Sequence, residues 1–156
     1  KGFEFENVLN RYGEAAKKLK AEGKLPVILV FCCQWSEFSA LDNAESLRPK
    51  RNVVTLEVPC FKALDPVHIV NALQNSFDGV MALVCSTEDC KLQEGRDTAE
   101  RSMSVLKDVL KKMNLLERFE LFEASPRCAD EFKQKLDEFF RKIAAIPPSK
   151  LVKVEA

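Results

Sequence analysis

Six cysteines are spread through a chain of 156 residues, and they are its side chains best suited to chemistry. A thiolate binds soft and borderline metals and takes part in disulfide exchange. Cys32 and Cys33 lie in "FCCQWSEF", Cys60 in "PCFKALDP", Cys85 and Cys90 in "VCSTEDC", and Cys128 in "SPRCAD". Only Cys85 and Cys90 have the close spacing of a zinc knuckle. A C-x-x-C redox pair is one sulfur short, reading Cys33-Gln34-Trp35-Ser36. Because a cysteine also packs as a small apolar residue, the type alone does not separate ligand from filler. The elements that carry the six must decide.

Residues 6–22 place Val8, Leu9, Tyr12, Ala15, Ala16 and Leu19 at helical spacing, and Gly23 stands where a helix would stop. "PVILVFC" (26–32) is a continuous run of branched apolar residues, the pattern of a parallel strand buried on both faces. A helix is expected over 36–47, with Ser36 as its cap and Phe38, Leu41, Ala44 and Leu47 inward, ending before Pro49. The alternation then repeats. Strands are expected at 52–58, 78–85 and 118–125. Helices are expected at 66–76 (capped by Asp65, with Val67, Ile69, Val70 and Leu73), at 96–114 (Ala99, Met103, Leu106, Val109, Leu110, Met113), and from Pro126 to Pro147 through Phe132, Leu136, Phe139, Phe140 and Ile143.

Strands alternating with helices predict an α/β fold: a four-stranded parallel sheet of order 2-1-3-4, flavodoxin-like, with helices on both faces and an extra N-terminal helix. The expected organisation is an N-terminal helical extension at 1–25, a single α/β domain at 26–146 and a tail at 147–156. All strands of such a sheet end on one edge, and every cysteine falls at or just after a strand end. Neighbouring strands are about 4.8 Å apart, so thiols from strands two, one and three can meet around one centre. Scattered packing cysteines would not share a rim, and a metal-binding rim is therefore the expectation. Within it, Cys32 and Cys128 are the least committed, since Cys32 points opposite to Cys33 while both remain in the strand. Zinc and an iron–sulfur cluster both suit such thiols.

The remaining composition narrows the function further. Twenty-four basic residues balance twenty-four acidic ones, which gives no general affinity for nucleic acid or anionic membranes. No apolar run reaches the roughly 18 residues of a membrane span, and no export signal opens the chain, so a cytoplasmic protein with reduced thiols is expected. His68, the one histidine, reads as a packed or solvated helical residue rather than a nucleophile's partner. No Gly-rich loop follows a strand, so bound nucleotide or FMN finds no support. Trp35 and Phe38 read as packing between loop and helix, and Glu88 and Asp89 as acids beside Cys90.

Together the segments "CQWS" (33–36), "PCFKALDP" (59–66), "DGVMALVCSTEDCKLQEG" (78–95) and "EAS" (123–125) resemble, in this order, the iron–sulfur delta subunit family of methyl-viologen-reducing hydrogenase. The likeness runs from about Pro26 to Phe140. It implies an electron-transfer subunit without substrate chemistry of its own, carrying a two-iron two-sulfur cluster. Its partners would be a hydrogenase or formate dehydrogenase-type donor and the flavin subunit of a heterodisulfide reductase-like complex. Carried over by position, the ligands are Cys33, Cys60, Cys85 and Cys90. Ser36 stands where the family has a further cysteine, and Cys32, Cys128 or Ser36 are the possible substitutes. The alternative is a zinc-stabilised or metal-free docking subunit of the same kind of complex, and a third reading is a thiol redox protein using Cys32 or Cys33 with Cys90.

Overall fold

The computed structural model describes residues 5–33, 52–86, 90, 93–124 and 129–147. In chain order the elements are α1 (Phe5–Ala21), β1 (Ile28–Cys33), β2 (Val53–Val58), α2 (Pro66–Asn75), β3 (Gly79–Cys85), α3 (Gln93–Lys112), β4 (Phe119–Ala124) and α4 (Ala129–Ala145), with short 3-10 turns at Phe61–Ala63 and Leu116–Arg118. The helix expected over 36–47 lies outside the described residues, as does an opening of the last helix at Pro126.

The four strands form one parallel sheet of order β2-β1-β3-β4, the flavodoxin-like α/β arrangement. All six residues of β1 are buried, whereas β2 at the edge alternates toward solvent. That difference explains why "VILVFCC" is uniformly apolar: a central strand has helices over both faces. Alternate residues of β1 divide between two cores. Leu29 and Phe31 join Leu9 and Ala16 of α1, Ile69 and Leu73 of α2, and Met103, Leu106 and Leu110 of α3. Ile28, Val30 and Cys32 join Phe132, Leu136, Phe139 and Ile143 of α4.

Local chemistry sets the helix ends. Asp65 caps α2, its Oδ1 accepting from the Val67 N–H at 2.9 Å with Pro66 opening the helix. α1 stops at a left-handed Gly23 (φ 75°), with Lys24 N–H bonding back to the Leu19 carbonyl at 3.0 Å. α3 ends two residues earlier than its apolar spacing predicts. There Asn114 takes the left-handed conformation (φ 56°) and Leu115 N–H closes onto the Leu110 carbonyl at 2.8 Å. The start of α3 at Gln93 also takes into the helix residues expected in the preceding loop. Three positions expected inward are exposed: Ala15, Val67 (48%) and Val109 (38%). Each lies at the border of its helix's apolar stripe, where spacing alone does not tell inside from outside.

At the amino edge of the sheet one acid ties three elements together. Asp78 Oδ2 accepts from the buried Val27 N–H at 2.8 Å, and Asp78 N–H donates to the Val27 carbonyl at 2.9 Å. Its other carboxylate oxygen pairs with Lys20 of α1 at 3.0 Å. Arg118, buried before β4, donates to the Asp78 carbonyl at 2.9 Å and to the Pro147 carbonyl. The next residue, Gly79, lies under α4. A Cβ there would stand 2.9 Å from Ile143 Cγ1 and 3.1 Å from the Phe139 ring. This clamp joins the starts of β1 and β3 at the edge opposite the cysteines.

Candidate metal centre at the carboxyl edge of the sheet

Cys33 is the last residue of β1 and 4% exposed; its sequence pattern places it just beyond the strand. Its register partner on β2 is Val58, which ends that strand. Cys60 follows two residues later in extended conformation (φ −157°, ψ 147°). Its carbonyl accepts from Ala63 N–H at 2.9 Å, closing the 3-10 turn. On the other side of β1, Cys32 is level with Leu83, so Cys85 at the end of β3 stands one residue beyond the level of Cys33. Cys60, Cys85 and Cys90 are half-buried. None of the five described cysteines is in a disulfide.

The thiols are linked. The Cys33 thiol donates to the Pro59 carbonyl at 3.9 Å, next to Cys60. Hydrogen bonding with Cys33 is the main cause that pushes the Cys85 thiol well above the usual thiol range. Burial adds to the shift, followed by the fields of the Cys33, Cys90 and Cys60 sulfurs. Cys85 thus senses all three of the other sulfurs named from the sequence. Strict alternation along parallel strands would send Cys33 toward the α1, α2 and α3 side and Cys85 toward the α4 side. Both are the last residues of their strands.

Cys32 sits apart, within the core beneath α4, its thiol 3.7 Å from the Leu56 carbonyl. Ser36, Cys128, Trp35, Phe38, Glu88 and Asp89 lie outside the described residues. Among the described residues no three His, Cys, Asp or Glu side chains are gathered so as to hold one metal ion. A two-iron cluster asks for a different arrangement, since four thiolates are shared between two irons. Thiolates are the donor type that such a cluster takes.

His68 is packed, as expected. Its ring lies 4.4 Å from that of Phe5, which in turn stacks on Phe31 at 6.1 Å. Its Nδ1 is buried with no hydrogen-bond partner. Sequence reasoning missed the Asp78 clamp and the buried Arg118. The signal available for Asp78 was its place directly before a strand that begins with glycine. No helix among the described residues is long and apolar enough to cross a membrane.

Comparison with known proteins bears on the same residues. The family model described as methyl-viologen-reducing hydrogenase, delta subunit, matches residues 28–146. The iron-sulfur subunit of an F420-non-reducing hydrogenase from Archaeoglobus profundus is 33% identical over 128 residues, covering 80% of this chain and 93% of that protein. Its counterpart in Methanocaldococcus jannaschii is 26% identical over 129 residues, 81% of this chain and 96% of the relative. One subunit of the ferredoxin/F420H2-dependent CoB-CoM heterodisulfide reductase from Methanosarcina acetivorans is 25% identical over 151 residues. That match takes in 95% of this chain, which spans only 19% of the longer protein.

Proposed function

The chain belongs to the methyl-viologen-reducing hydrogenase delta subunit family, and from that footing we propose that it is an electron-transfer subunit. In this reading Cys33, Cys60, Cys85 and Cys90 hold a two-iron two-sulfur cluster. Electrons pass between a hydrogenase or formate dehydrogenase-type donor and the flavin subunit of a heterodisulfide reductase-like complex. The observation that carries the reading is the convergence on Cys85, whose thiol is pushed up first by Cys33, then by burial and by the fields of Cys33, Cys90 and Cys60. The relatives named as iron-sulfur subunits of hydrogenases support the cofactor class. The match within a much longer heterodisulfide reductase polypeptide supports the partner class.

When bound, such a cluster supplies one-electron chemistry at a potential set by burial and by hydrogen bonds to its sulfurs. The chain's own part is positional. β1 and β3 hold Cys33 and Cys85 on a hydrogen-bonded frame, and Cys60 and Cys90 come from the adjoining loops. The four thiols give up their protons on loading. We place the unit that does this at 26–146, with α1 as an extension docked on its core and 147–156 as a tail.

The test is iron and acid-labile sulfide content, with an anaerobic visible spectrum, on protein isolated with its native partners. Two irons and two sulfides per chain, with colour bleached by dithionite, are expected. Stoichiometric zinc instead would replace the reading with the zinc-stabilised docking subunit. Absence of iron, sulfide and zinc from strictly anaerobic protein would leave the metal-free one.

A further inference from the structure

We propose that the outer face of α3 is a homodimer surface, on which two copies of this chain pair their α3 helices antiparallel across a twofold axis between Ser104 and Val105. Nothing in this surface depends on the cluster.

α3 covers the sheet with Met103, Leu106 and Leu110, which are buried. At about 100° per residue, Arg101, Val105, Asp108, Val109 and Lys112 fall within an arc of about 100° on the other side of the helix. All five are exposed. Val105, at 59%, is the most exposed large apolar residue among those described. Thr98, Ser102, Val105, Val109 and Lys112 follow one another at spacings of four and three, the seam of a two-helix pair, and Arg101 and Asp108 flank that seam.

Charge decides the occupant and its orientation. Arg101 and Asp108 lie equally far on either side of the midpoint between Ser104 and Val105, and so do Asp97 and Lys112. A twofold axis there sets each base opposite an acid of the other copy. Both pairs use one register, and symmetry makes every contact twice. A parallel pairing would instead set Arg101 against Arg101 and Asp108 against Asp108. Elsewhere exposed charges pair within their own helix, Lys17 with Glu14 at 2.8 Å on α1 and Lys135 with Glu138 at 3.5 Å on α4. Asp97, Arg101, Asp108 and Lys112 are in no ion pair among the described residues. Asp97 and Arg101, like Asp108 and Lys112, are four apart and attract along one helix as well, which lessens the net gain across the axis and makes the dimer a weak one. The formal net charge is zero at pH 7, so no long-range repulsion opposes two copies.

The experiment is sedimentation equilibrium on the full chain, anaerobic and with reductant, over a concentration series that reaches the millimolar range. The expected result is an average mass rising from 17.7 kDa toward twice that value, with weaker association at high salt. Arg101→Asp and Asp108→Arg, each self-repelling across the axis, should each weaken the dimer by about tenfold or more. An equal mixture of these two variants should regain it, because the mixed pair again sets acid against base at both sites. Val105→Glu should hold the chain monomeric, with an unchanged urea midpoint showing that the fold is kept. Wild type that stays monomeric throughout overturns the proposal. A dimer that survives Val105→Glu, or a mixture no better associated than its two components, also overturns it, since another surface or register then joins the copies. If wild type alone is monomeric and Val105→Glu abolishes its binding to the native partner subunits, the face belongs to a different protein and the second copy is overturned.

Discussion

Replacing Asp78 by alanine should cost the reduced, metal-free chain about 2–4 kcal/mol of unfolding free energy. The substitution leaves the Asp78 backbone in place, so the carbonyl that receives Arg118 and the N–H that donates to Val27 both survive. What is lost is the carboxylate. Its Oδ2 receives the N–H of Val27, a fully buried residue, at 2.8 Å. A hydrogen bond to a charged acceptor contributes about 1.5–3 kcal/mol, and the donor left behind has no water to turn to. The pair with Lys20 adds less, because the lysine and aspartate side chains are 32% and 13% exposed. Screening at such a site holds the contribution to about 0.2–1 kcal/mol. Two further variants separate the terms. Asp78→Asn keeps an acceptor for Val27 and gives up the charge, so it should cost clearly less than alanine. Lys20→Met removes only the ion pair and should stay within about 1 kcal/mol of wild type. Urea unfolding is the assay, with a lowered midpoint and an unchanged slope as the signature of lost stability. For a chain of this length each kcal/mol lowers the melting temperature by about 2–4 °C. An alanine variant within about 0.5 kcal/mol of wild type, the ordinary scatter of surface changes, would refute the clamp. An asparagine variant as damaging as alanine would refute the division between hydrogen bond and ion pair.

Gly79→Ala should destabilise the fold by about 1–3 kcal/mol, since the new methyl would press on Ile143 and Phe139 at 2.9–3.1 Å; urea unfolding with unchanged stability would show that α4 moves aside freely. Asp65→Ala should cost about 0.5–2 kcal/mol through the lost cap on α2, read as a lower melting temperature, with Asp65→Asn largely restoring it. Serine at any of Cys33, Cys60, Cys85 or Cys90 should sharply lower bound iron in protein purified anaerobically. Cys32→Ala should keep its iron and lose only about 1 kcal/mol of packing. Iron loss in Cys32→Ala, or retention in the other four, would reassign the ligands.

Element types and order were legible because they follow from local pattern. "PVILVFC" reads as a buried strand, the Asp65-Pro66 pair as a helix start and Gly23 as a stop, and each does that in the structure. The right-handed rule for parallel crossovers then leaves few sheet orders, and 2-1-3-4 is the one found. Boundaries were less legible where two signals compete. At Asn114 a residue able to turn left-handed ended α3 while the apolar spacing still ran on.

Residue type and periodicity act along the chain, and they were enough to put the cysteines at strand ends and the strands on a shared edge. The resemblance to the hydrogenase delta subunit family, carried over by position, marked Cys33, Cys60, Cys85 and Cys90 as the candidate ligands. Which sulfurs are neighbours came from the folded chain alone, since register between β1 and β3 depends on contacts remote in sequence. Asp78 grips Val27 at one edge, and at the other Cys33 is the first cause of the raised Cys85 pKa. The pleat already set Cys32 opposite to Cys33 in the sequence reading, and folding decided that α4 covers the face that Cys32 takes.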